Sequence, residues 1–442
     1  MKSLVQLTYL GLFLVLVACG GGGGNSPAPE PSTSSSSSEE SSSTAESSSV
    51  SSTVSSSAFS ESSSSSSSEL PSYNTNPLAP NAAGMERNAA ELAAEIRIGL
   101  NIGNTLEAYG AQSETYWGNP EITEAFVAFT KEAGFNAIRL PVSWDQYADP
   151  DTAEIDPDWL ARVKEVVDYC IQNDLFVIVN IHWDGGWLEE NVTPAKQAEN
   201  NDRQRAYWEQ IATHLREFDD RVIFASANEP NVDNAEQMAV LQSYHQTFVD
   251  TVRATGGKNA YRVLLVQGPN TDIEQTHELM GSLPTDTHSD RMMVEIHYYS
   301  PWNYTGMQQD EPWGNRFFYW GEGFHSTTDT EHNPTWGEED YVDSTFALMK
   351  HQFVDNGIPV ILGEYGTGVR DHLEGENLQL HLDGRAYYFQ YLTQQALANG
   401  MLPFFWDTGS LLDRHNNSVL DEQALEALMK GASGSHYWQN ND

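Results

Sequence analysis

The sequence predicts a closed (β/α)₈ barrel over most of its length, and three observations point there. Short apolar runs rich in β-branched and aromatic residues recur eight times between residues 98 and 409. Amphipathic helical patterns separate most of them, as expected of parallel strands covered on their outer side. No Gly-rich phosphate loop follows any run, which counts against the runner-up fold, a doubly wound open sheet.

Ahead of these runs, Met1 and Lys2 precede an apolar stretch from Leu4 to Ala18, followed by Cys19 in "LVAC". This pattern predicts a signal segment over 1–18 rather than a membrane span. It resembles a bacterial lipobox, which implies lipidation of Cys19. The glycine at position 20, in place of aspartate, then favours the outer membrane, with the lipid as the sole membrane contact. Residues 19–77 are largely glycine and then serine, a composition that cannot bury enough apolar surface to order itself, and they predict a disordered linker. Fifty-odd such residues would span on the order of 40 Å. The folded body, the barrel domain, is expected over 78–442. Cys170, the only other cysteine, lies in a helical pattern and predicts a core position, so a disulfide framework is not expected.

Within the body the runs are, in order, "IGLNIGN", "AIRLPVSW", "FVIVNIHW", "VIFASANEP", "RVLLVQGPN", "MMVEIHYYS", "PVILGEYG" and "LPFFWDTG". Between them stand segments such as "EITEAFVAFTKEAG", "PDWLARVKEVVDYCIQND" and "RQRAYWEQIATHLREF", whose apolar residues recur at three and four. Each strand ends in polar or aromatic residues, among them Asn101, Arg139, His182, Asn228, Glu229, His297, Tyr299, Glu364 and Trp406. In a barrel those ends form one rim, so residues as distant in sequence as Arg139 and Trp406 are expected to share a pocket.

Glu229 and Glu364 are the candidate working pair, because each ends an apolar run with no adjacent lysine or arginine. On the fourth and seventh strands they would face each other across the mouth. Two facing carboxyls suit glycosidic cleavage, where one group protonates the leaving oxygen and the other meets the cationic sugar carbon. Pro230 biases Glu229 to extended backbone and so aims its side chain. Of the 12 tryptophans, nine fall at strand ends or in the loops beyond, where flat rings can stack on sugar faces; about half are expected to be packed anchors instead. Other chemistries fit less well. No G-x-S-x-G elbow follows a strand, and no H-E-x-x-H or clustered His/Cys spacing suggests zinc, so neither metal nor cofactor is expected. The body carries 57 acidic against 21 basic residues, which disfavours nucleic acid as a partner.

The motifs "IRLPVSW", "IHW", "ANEP", "IHYY", "GEYG" and "FFWD", in this order, resemble glycoside hydrolase family 5, the large cellulase family. The resemblance implies Glu229 as general acid/base and Glu364 as nucleophile. It further implies that Arg139 and Tyr299 hold Glu364, that Asn228 meets a sugar hydroxyl, that His182 and His297 line the same subsite, and that Trp406 is its stacking platform. "GLNIGNTLEAYG" with "WGNP" resembles the branch holding endoglucanases, lichenases and xyloglucanases. The expected activity is therefore an endo-β-1,4-glucanase on β-glucan, acting as a monomer. Xyloglucan or mannan specificity are the alternatives, and a non-catalytic sugar-binding barrel is disfavoured by the intact glutamates. The long connection from Pro301 to Glu339 is too aromatic for disorder. It is expected to wall the cleft with Trp302 as a stacking residue, the alternative being a loop packed on itself.

Overall fold

The computed structural model describes residues 69–439. Eight strands form a closed parallel barrel in sequence order: β1 (Gly99–Ile102), β2 (Ala137–Leu140), β3 (Phe176–Asn180), β4 (Val222–Ala225), β5 (Leu264–Gln267), β6 (Met292–Tyr298), β7 (Val360–Tyr365) and β8 (Met401–Asp407). β8 pairs back onto β1, with Asn101 beside Trp406. Each strand coincides with one of the eight expected runs, β8 starting one residue earlier at Met401, so the barrel reading holds.

The covering helices start where side chains can satisfy their first amides. The helix Ala89–Glu95 (α1) has a capping box between Asn88 and Glu91. Thr123 caps the helix Glu124–Glu132 (α2), and Asp156 caps Pro157–Gln172 (α3) with proline in its first turn. Cys170 sits in α3, fully buried as expected.

Two apolar layers result. Inside the barrel, Ala137, Ile178, Ile223, Leu265, Met293, Ile361 and Phe404 pack together, and Leu92 and Ile96 of α1 join them to close the N-terminal end. Outside, the alternate strand residues meet the helices. This alternation positions the site, because strand side chains repeat every second residue. Two residues beyond the inner apolar layer come Arg139, Asn180, Gln267, Glu295 and Trp406, all on the inner face towards the C-terminal rim.

β7 breaks that alternation where the chemistry needs it. Ile361 belongs to the inner layer, yet Tyr365, four residues on, packs outward with its hydroxyl 2.7 Å from Thr393 Oγ1. The pairing with β6 shifts register in between, so that Leu362 pairs with Ile296 but Glu364 with His297. The bulge skips Gly363 and turns Glu364 into the mouth. Gly363 is required there: a Cβ would fall 2.0 Å from Glu295 Oε1.

One expected boundary moves. Residues 69–77, expected as the end of a disordered linker, are held by the body: Leu70 N–H donates to Asp202 at 2.6 Å, and the Tyr73 hydroxyl donates to the carbonyl of Thr152 at 2.8 Å. Leu70 and Tyr73 also pack against the outer core, contacts that polar spacing alone does not announce. The expected signal segment, Cys19 and the serine tract lie outside the described residues.

Candidate active site

Arg139 organises the mouth. It is fully buried, and its guanidinium meets four side-chain oxygens on four other strands or strand ends. Nη1 donates to Glu364 Oε1 and to Asn101 Oδ1, both at 2.9 Å, and Nη2 donates to Asn228 Oδ1 at 2.8 Å. Nε lies 2.7 Å from Glu295 Oε1. A buried cation is tolerated only when paired and hydrogen-bonded, and the planar guanidinium fixes all these groups in one geometry.

His297 bridges the two candidate glutamates. Its Nδ1 donates to Glu229 Oε1 at 2.7 Å, while Nε2 lies 3.4 Å from Glu295 Oε1 and 3.8 Å from Glu364 Oε1. Burial alone would favour the neutral ring, but the surrounding carboxylates of Glu364, Glu229 and Glu295 push its pKa up to about 10. A carboxylate oxygen of Glu229 lies within 4.8 Å of one of Glu364. The Glu229 side chain is 36% exposed, whereas Glu364 is buried.

Environment separates the carboxyls. Burial raises the Glu364 pKa above the ordinary carboxylate value, and His297 and Arg139 oppose that rise. Burial also acts on Glu295, but Arg139 and His297 outweigh it and hold that carboxylate below its usual range. The Tyr299 hydroxyl donates to Glu364 Oε2 at 3.1 Å, its own ionisation suppressed by burial and then by Glu364 and Glu229. His182 is held neutral by burial, Arg139 and His297, and its ring lies parallel to Trp406 at 5.7 Å.

All of Arg139, His182, Asn228, Glu229, His297, Tyr299, Glu364 and Trp406 therefore reach one mouth. Trp302 lines a cavity of about 210 Å³ together with Glu229, His297 and Tyr299. The connection carrying it combines both expected behaviours. Its inner half joins the outer core, with Trp320 buried against Tyr388 and its Nε1 donating to Gly337 O at 2.9 Å. Trp302, at the start of the short helix Trp302–Thr305, is 48% exposed. Its ring lies against Gly306, where a Cβ would fall 2.1 Å away, so the platform is preset rather than loose. Among the nine loop and strand-end tryptophans, Trp144, Trp187 and Trp320 are buried anchors.

Two functional neighbours escape a reading from strand ends. Glu295 lies inside β6, and its signal is parity: it stands two residues before His297 and so shares its face. Glu189 follows β3 on a turn, and its Oε1 accepts the Glu229 N–H at 2.6 Å; sequence offers no signal for that contact.

Glu229, His297 and Glu364 are close enough to present ligand atoms to one cation, but Arg139, 2.9 Å from Glu364, already supplies the compensating charge there. With one partly exposed acid, one buried carboxylate and a short gap between them, the arrangement can both protonate a leaving oxygen and attack the adjoining carbon.

Comparison with known proteins agrees with that chemistry. Residues 102–410 match the family model "Cellulase (glycosyl hydrolase family 5)". An endoglucanase A from Paenibacillus barcinonensis is 36% identical over 373 residues, covering 78% of this chain and 90% of the relative. The structure of a Bacteroides ovatus xyloglucanase in complex with a XXXG heptasaccharide superposes with a TM-score of 0.75 at 35% identity, covering 82% of this chain and 80% of the other. A broad specificity endoglucanase from Ruminococcus champanellensis with bound cellotriose gives 0.67 at 33% identity, over 78% and 99% of the two chains.

Proposed function

The chain belongs to glycosyl hydrolase family 5 and is an endo-β-1,4-glucanase, and we propose that it works by a double displacement with Glu229 as acid/base and Glu364 as nucleophile. The observation that carries the assignment is the gap of at most 4.8 Å between oxygens of the two carboxyls. Retaining enzymes keep the pair about 5–5.5 Å apart, whereas inversion needs roughly 6.5–9.5 Å to admit a water.

In the first step Glu364 Oε attacks the anomeric carbon while the bond to the leaving oxygen breaks and takes the proton of Glu229. In the second, Glu229 removes a proton from water, whose oxygen displaces Glu364. Arg139, Tyr299 and His297 orient Glu364 throughout, Asn228 and His182 face the sugar, and Trp406 and Trp302 offer ring faces to it. Proton NMR of the first-formed product tests this: the β-anomer is expected, and the α-anomer refutes the double displacement.

A second reading, preference for xyloglucan, is favoured by the likeness to the Bacteroides ovatus xyloglucanase. Initial rates on carboxymethylcellulose, lichenan, xyloglucan and mannan separate the two. Comparable kcat/KM on the first three supports a broad endoglucanase, and at least a tenfold excess on xyloglucan supports the second reading.

We also propose outward display on the outer membrane through lipidated Cys19, on the strength of the "LVAC" pattern and the serine tract. Cys19→Ser should release the protein from the membrane fraction with its specific activity on soluble substrate unchanged. Retention of that variant in the membrane refutes the anchor.

A further inference from the structure

We propose that Glu189 is a positioning residue that holds the backbone of Glu229 in place for proton transfer to the leaving group. The inference rests on the reading of Glu229 as general acid.

Glu189 stands on the turn Glu189–Asn191 beyond β3 and is 6% exposed. Its contacts converge on one short segment. The side chain accepts the N–H of Glu229 at 2.6 Å, and the backbone carbonyl accepts the N–H of Asn231 at 2.9 Å. The residue between them is Pro230, which has no N–H, so both amide donors flanking the proline go to Glu189. The side chain of Asn228 stands beside the same carboxyl and favours its ionised form. From the other side, the Pro230 carbonyl accepts the N–H of Asn270 at 2.8 Å. The strand has already ended at Ala225, so no ladder bond can hold Glu229; this clamp replaces it.

The clamp is unusual in being a buried carboxyl without a cation. Among the described residues no lysine, arginine or histidine nitrogen lies within ion-pair reach of Glu189. Burial first, and then the negative charge of Glu229, push its pKa up to about 8, with Glu364 adding to the rise; the Glu229 N–H and the Asn228 side chain oppose it. The rise favours the protonated acid at neutral pH. It can accept the Glu229 N–H without placing a second negative charge beside a group that must carry and release a proton.

The test uses Glu189→Ala and Glu189→Gln with Glu229→Ala in parallel. Each is assayed on a β-glucan polymer and on 2,4-dinitrophenyl β-cellobioside, whose leaving group departs without protonation. kcat/KM is compared because it reports glycosylation alone. Glu189→Ala should lose about 10- to 100-fold on polymer, the scale of a misaligned acid, and less than about 3-fold on the activated glycoside. Glu189→Gln keeps a neutral accepting oxygen and should return to within about 5-fold of the parent on polymer. Equal losses on both substrates, no loss at all, or a glutamine variant as poor as the alanine one would overturn the proposal. Should Glu229→Ala show the leaving-group difference and Glu189→Ala not, only the positioning role falls. Should Glu229→Ala itself lack the difference, the acid assignment and the positioning role fall together.

Discussion

Arg139 beneath the floor of the mouth and Trp302 at its wall belong to the same site but are held by opposite means. Arg139 is fully buried, and four groups from β1, β6, β7 and the end of β4 surround its guanidinium; moving any one leaves a buried donor short of its acceptor. Trp302 is half-exposed on a long connection and rests on Gly306, so its neighbours hardly depend on it. The floor is a network in which each residue constrains the rest, and the wall is a set of separable contacts. Substitutions in the floor should therefore fail together and affect every substrate. Those in the wall should act singly and affect only polymers long enough to reach it.

The largest expected effect is at Glu364. Glu364→Gln replaces the attacking carboxylate by a neutral, weakly nucleophilic amide and should lower kcat by at least about 10⁴-fold on polymer and activated glycoside alike. Loss on the polymer alone would make Glu364 a wall residue and break the comparison. Glu229→Ala should cost about 10²–10⁴-fold on polymer and much less on an activated glycoside. Azide should partly restore turnover there as an external nucleophile, giving a β-glycosyl azide; absence of that product argues against Glu229 as the base.

At the wall, Trp302→Ala should cost about 1–3 kcal/mol in kcat/KM on polymer, a scale taken from aromatic stacking on flat rings, and almost nothing on a short aryl glycoside. Equal loss on both would join Trp302 to the floor, and an unchanged kcat/KM with a lowered Tm would make it a packing residue. The smallest effect concerns pH and stability. Glu189 has its folded pKa raised to about 8 from an ordinary 4.5, so the folded chain keeps a proton that the unfolded chain releases. Its contribution to stability is thus present below about 4.5 and drains away as pH rises through about 8. Glu189→Gln removes that drain, so its Tm relative to the parent should rise by a few degrees between pH 5 and pH 8.5. A Tm difference independent of pH would show that Glu189 does not hold its proton in this interval.

The sequence by itself determined the barrel, because eight apolar runs alternating with helices leave few other ways to bury their faces. It also determined the rim: parity along each strand carries Arg139, His297 and Trp406 to the same inner face as the apolar residues beneath them, strand direction carries them to the C-terminal end, and the motif order identifies Glu229 and Glu364 among the rim acids. The tertiary structure alone decided the rest. Regular alternation on β7 would place Glu364 outward beside the helices, and only the bulge at Gly363 turns it in. That bulge exists where Glu295 needs room, on a different strand 68 residues earlier. Glu189 and residues 69–77 escape the sequence for the same reason: their meaning lies in partners such as Glu229, Asp202 and Thr152, brought close by the closed barrel. Periodicity reports which face a residue occupies, because the backbone repeats locally. It carries no record of which distant group will stand opposite, because that distance is set only when the chain closes on itself.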